Sequence, residues 1–153
     1  MKKYSRILFL YSFTSFLFVI VFGSMNTFFK KAFYGTAIWD SITAFHSHFD
    51  QLCWLGAAAI GAMFHFMSDR YSGSIKAVGF FTYLYIFGTL TFSFAFLARG
   101  LGMYLHNQAL EKTVFAFMAS IGGLAYILII FLGIYIVRSL MIGDAGDKKV
   151  MVK

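Results

Sequence analysis

The sequence predicts an all-α integral membrane fold, a bundle of four transmembrane helices with no soluble domain, and three observations predict it. Hydrophobic residues make up 60 % of the chain and charged residues 12 %, whereas soluble domains run near ~45–50 % apolar and ~25 % charged. Four stretches are long enough to cross a bilayer, which takes about 20 mostly apolar residues. The links between them are too short to fold into a domain. A soluble fold of 153 residues with 21 Phe could not hide that surface, because a chain of this size leaves roughly 30 % of its unfolded surface in water. Lipid is therefore the expected solvent, and inside lipid each segment must satisfy its own backbone groups, which favours helices. The shorter alternating segments of a membrane β-barrel are absent.

The first predicted helix covers 7–29, where Ile7 to Phe29 carries no charge. Met1–Arg6 (MKKYSR) before it has the basic character of a signal peptide. The apolar run exceeds a typical h-region, however, and no Ala-x-Ala site follows, so a retained helix is expected. The second helix is expected over 41–67, with Gln51–Ser68 free of charge. The third is expected over 77–99 and the fourth over 113–138. No proline interrupts any of them. The tail 143–153 (GDAGDKKVMVK) is read as charged and frayed.

Positive charge sets the expected orientation. Lys2, Lys3, Arg6, Arg70, Lys76, Arg138, Lys148, Lys149 and Lys153 fall on one side, and Lys30, Lys31, Arg99 and Lys112 on the other. The more positive side faces the cytoplasm, so both termini are expected inside, in the cell's inner (plasma) membrane. The net charge of +7 then reflects topology and attraction to anionic lipid. Its basic residues are scattered and no nucleic-acid-binding motif accompanies them, so nucleic acid is not an expected partner. Cys53 stands alone and forms no internal disulfide.

The start of the second helix is the chemically informative stretch: Phe45-His46-Ser47-His48-Phe49-Asp50-Gln51. Ionisable residues at the edge of a membrane helix normally have a partner or a task. At ~100° per residue, His46 and Asp50 share a face of a regular α-helix and His48 lies nearly opposite Asp50. His46–Asp50 reads either as an i,i+4 pair or as a histidine oriented by a carboxylate. His46, His48, Asp50 and His106 are the candidate ligands for a transition metal, copper or zinc. A water-facing polar cap is the competing reading, with proton or ion translocation a third. His65 reads as an interfacial histidine, and Arg99 as a residue that snorkels or pairs with an acid. The small residues Gly56–Ala62 and Ala119, Gly122 and Gly123 favour close helix packing, with a flat haem against the glycines as the alternative.

Three features taken in order, His46-Ser47-His48 ahead of a Leu/Gly-rich helix, Arg99-Gly100 closing the third helix, and Ile121-Gly122-Gly123-Leu124-Ala125 in the fourth, resemble short four-helix membrane proteins related to the catalytic subunit of haem–copper oxidases. The resemblance spans about 41–137. It implies a haem b with His48, or secondarily His46, as axial ligand. In such proteins a histidine follows the small residues of the fourth helix. Here Tyr126 holds that place, as a candidate ligand or hydrogen-bonding group.

No nucleophile elbow, phosphate loop or zinc-protease motif is present, so an autonomous enzyme is not expected. Two functions remain. One is a membrane subunit that binds haem or metal near the outer face of a redox complex and takes part in electron transport. The other is a structural accessory subunit packed around a larger complex of other membrane chains.

Overall fold

The computed structural model describes residues 1–150, and the side chains of all of these except residues 26, 27 and 143–150. It is all-helical, with no strand among the described residues. Helix α1 spans Lys2–Phe33. A turn at Gly35, whose φ of 79° suits a residue without Cβ, leads to α2 (Ala37–His48). A π-helical segment, Phe49–Gly56, and α3 (Ala57–Phe66) continue α2 without a break. Then come α4 (Ile75–Tyr104), a second π-helical segment (Ala109–Val114) and α5 (Phe115–Val150).

Three helices are long and apolar enough to cross a membrane: Lys2–Met25, Ile75–Tyr104 and Ala109–Ile142. The expected span 41–67 is helical as far as Phe66 but divided, because hydrogen bonding shifts from i→i+4 to i→i+5 over the π segment and so splits it into α2 and α3. The helices outrun the expected spans at their ends. Hydropathy marks where apolar side chains stop, whereas Lys2, Lys3, Lys30 and Lys31 are good helix formers that continue the backbone past that point. The predicted charged tail 143–153 lies, in its side chains and its last three residues, outside the described residues.

Local chemistry explains the boundaries. Thr36 caps α2, its Oγ1 accepting from Trp39 N at 3.3 Å, with Asp40 in the first turn where a carboxylate suits the helix dipole. Helix α4 ends in a Schellman arrangement, with Asn107 N donating to Gly102 O at 2.8 Å and His106 N to Met103 O at 3.3 Å. Asn107 Oδ1 then accepts from Ala109 N and Leu110 N at 3.0 and 3.2 Å, starting the next helical segment.

Helix α4 is central, packed on α5, α2 and the first π segment, while α1 runs along α3 and that same segment. One end of the molecule gathers the N-terminus, the 67–74 loop and the later part of α5. There Lys2 Nζ meets Asp69 at 3.0 Å and Ser72 Oγ donates to Ser139 O at 3.0 Å. The opposite end brings Phe33 against Tyr104 at 5.7 Å and Arg99 over the Phe115 ring at 5.2 Å. The basic residues with described side chains therefore divide between the ends as the sequence count groups them.

The core is held by small residues and hydroxyls. A Cβ on Gly122 would lie 2.8 Å from Phe92, and one on Gly61 would lie 3.3 Å from Leu8, so those helices approach closely as the small-residue patterns predict. Gly123 faces open space. Hydroxyls of α1 and α4 donate to carbonyls of the second helical stretch: Ser5 to Gly61 O at 2.8 Å, Ser12 to Trp54 O at 3.0 Å and Tyr85 to Leu52 O at 2.7 Å. Inside an apolar medium an unpaired carbonyl is costly, so the Ser12 and Tyr85 bonds stabilise the π segment where its backbone pairing changes register, while the Ser5 bond ties α1 to α3.

Candidate functional site

Side-chain placement around the first π segment follows from that change of register. His46, in the last turn of α2, faces α1: its ring stacks near Phe22 at 6.0 Å and lies beside Gly23, where a Cβ would meet His46 Cε1 at an ordinary 3.5 Å. His48 faces α4 instead. Its ring lies 4.8 Å from Phe96 and 5.3 Å from Phe92, and its Nδ1 sits 2.7 Å from Ala44 O. The two histidines therefore serve different neighbours, as their spacing on a helix requires.

Asp50 corrects one expectation. It does not pair with His46, and its Oδ1 is buried without a hydrogen-bond partner. The His46 ring packs instead against Phe22 of α1, beside Gly23.

A second correction concerns depth. The cluster does not lie at the rim of the apolar stretches. Phe49 touches Phe18 at 4.8 Å and Phe94 at 5.9 Å, and Phe18 stands eleven residues from either end of the charge-free run Ile7–Phe29. Asp50 is thus near mid-length of the apolar runs. The expectation counted depth from the predicted helix start at 41, whereas the helix starts at Ala37 and packs with Ser41 beside Gly100, near the end of α4.

The remaining candidates disperse. His106 is exposed in the loop after α4, with a left-handed φ of 53°, and it serves as the residue past the helix end in the Schellman turn. Tyr126 packs edge-on against Phe92 at 5.4 Å, and its hydroxyl is buried without a hydrogen-bond partner. His65 is exposed, its ring against Phe66 at 5.4 Å. Among the described residues no group of three or more His, Cys, Asp or Glu side chains is placed to hold a metal ion. The residues at His48 do not fit a haem held from both faces. Phe92 and Phe96 cover the His48 ring, Phe92 fills the space at Gly122, and Tyr126 stands behind Phe92. A cavity of about 280 Å³ lined by Asp40, Ser41, Ala44, Phe96 and Arg99 opens farther up the α2–α4 seam, and His48 does not line it.

Sequence reasoning missed the polar seam beside this cluster. Tyr11 Oη and Thr89 Oγ1 are 2.8 Å apart, Thr89 donates to Tyr85 O at 2.8 Å, and Cys53 Sγ lies 3.9 Å from Ser93 Oγ. The signal was present in α4, where Thr82, Tyr85, Thr89 and Ser93 recur at three- and four-residue spacing, the period of one helix face. Gln51 is exposed on the outer face of the π segment beside the half-exposed Asp50.

Comparison with protein families, with curated proteins and with solved structures yields no match.

Proposed function

We propose that this chain is a four-span integral membrane protein, both termini cytoplasmic in the plasma (inner) membrane, acting as a non-catalytic subunit that packs into a larger membrane assembly. The continuous stretch Ala37–Phe66 supplies the fourth span. It equals α4 in length, 30 residues, or about 45 Å. The end that carries Lys2, Lys3, Arg6, Arg70, Lys76 and Arg138 is the more basic, and the positive-inside rule assigns it to the cytoplasm.

The observation that carries the subunit reading is the divergence of the histidines. His46 turns to α1 and His48 to α4, each ring against aromatic neighbours, so the groups best suited to hold a cofactor stabilise helix contacts instead. The outer surface of α1 and α5 is apolar and bulky, with Phe13, Phe28, Phe117 and Phe131 each at least 60 % exposed, which suits lipid and neighbouring helices.

The test is spectroscopic and biochemical. Protein purified in mild detergent is expected to lack a Soret band and stoichiometric copper or zinc, and in native membranes to migrate within a particle larger than its own mass. A stoichiometric Soret band that shifts or vanishes in His48→Ala, or migration only as a free monomer, overturns the reading.

A further inference from the structure

A carboxylate and an amide at mid-length of a lipid-facing stretch are expensive, and the structure shows how few partners they have. Asp50 is half-exposed with its Oδ1 buried and unpartnered, and Gln51 beside it is exposed. Asp50 is the only carboxylate inside the four apolar stretches.

Among the described residues no cation forms an ion pair with Asp50. Arg99 adjoins Gly100, which packs on Ser41, nine residues and about 13 Å along the helix from Asp50. Arg6 adjoins Ser5, which bonds Gly61 O, eleven residues and about 16 Å in the other direction. An ionised carboxylate in such a place needs a counter-charge, and amides in lipid associate through hydrogen bonds between helices.

We propose that the outward face of the first π segment, Gln51 flanked by Asp50 and by Ser47 one turn earlier, docks a transmembrane helix of a different chain that carries a lysine or arginine at the same depth. The proposal rests on the membrane-subunit reading and names one contact of that subunit. Charge complementarity selects the occupant. The cation pairs with Asp50 while Gln51 and Ser47 bond polar groups of the same helix. A second copy in the same orientation about a two-fold axis would set Asp50 against Asp50, a like-charge contact.

The experiment uses the full chain in phosphatidylcholine vesicles with designed Leu/Ala transmembrane peptides carrying a single central Lys or a central Leu, association being read by energy transfer between labels. The Lys peptide is expected to bind the wild type and the Leu peptide to bind much more weakly. Asp50→Asn, which keeps the size of the side chain, is expected to weaken Lys-peptide binding at least about tenfold. Gln51→Leu is expected to weaken it to a lesser degree, and both variants are checked for unchanged helix content. Equal binding of the two peptides overturns the proposal. So does undiminished Lys-peptide binding by Asp50→Asn, or self-association strengthened by Asp50→Asn, which would mean a second copy on this face. A chain that fails these tests yet migrates in a large native complex refutes this contact alone, whereas a free monomer in native membranes refutes the subunit reading.

Discussion

The contact between Gly56 and Tyr85 decides how the first π segment is held, and Gly56→Ala tests it. A Cβ at Gly56 would overlap Tyr85 Oη, the atom that donates to Leu52 O at 2.7 Å. Tyr85 is a buried core residue and has little room to retreat. Alanine therefore costs the Tyr85–Leu52 bond, about 1 kcal/mol, and strands a carbonyl in apolar surroundings, about 1–3 kcal/mol. Better helix propensity returns about 0.5–1 kcal/mol. The net expectation is a loss of about 1–3 kcal/mol, read from equilibrium unfolding in mixed micelles or from the thermal midpoint by circular dichroism. Tyr85→Phe alone strands the same Leu52 carbonyl and is expected to cost about 1–3 kcal/mol. In the double variant the new methyl meets only ring carbon Cζ at 3.6 Å, an ordinary contact, with the Gln51 carbonyl at 3.2 Å the remaining squeeze. The double variant is therefore less destabilised than the sum of the singles, with a coupling of about 1 kcal/mol. Gly123→Ala, where nothing lies within 4 Å of the new methyl, is the control and is expected to be neutral or mildly stabilising. The reasoning fails if Gly56→Ala matches the wild type, or if the two substitutions simply add.

Two further outcomes follow from the ends of the molecule. His106 occupies a left-handed position, φ 53°, where a Cβ costs about 1–2 kcal/mol; His106→Gly is expected to raise the unfolding midpoint and His106→Val to lower it. The hydrogen bond from Lys2, reinforced by the Lys2 charge and the Ser68 hydroxyl, holds the Asp69 carboxyl below the usual carboxylate range. A depressed value means the stabilisation is present above the ordinary Asp pKa of about 3.9 and is lost as pH falls through the folded-state value. The thermal midpoint of the wild type is thus expected to hold level at neutral pH and drop in acid. Asp69→Asn should flatten part of that drop, and high salt should shrink the difference, because both partners are exposed.

Much of the site escaped a linear reading for a specific reason. A helical wheel extends one geometry along the chain, and the change to i→i+5 bonding at Phe49 leaves no mark in hydropathy. The His46–His48 divergence was legible, since two residues on one helix differ by ~200° whatever surrounds them. The His46–Asp50 pairing was not, because a shared helix face does not decide whether a ring packs on its own helix's carboxylate or on a neighbour, here Phe22 of α1. The Tyr11–Thr89 and Tyr85–Leu52 bonds join residues distant in sequence, and nothing local specifies such partners.

The sequence by itself determined that the chain is helical and apolar enough to enter a membrane. Those properties depend on composition and run length, each read one segment at a time. It also determined which ends of the helices carry positive charge. Only the tertiary structure decided which helix each histidine faces, how deep Asp50 lies, and that His106 serves a helix cap. These depend on how far one helix slides and turns against another, a choice made by close contacts such as Gly61 on Leu8 and Gly122 on Phe92, where a difference of one methyl group moves whole faces.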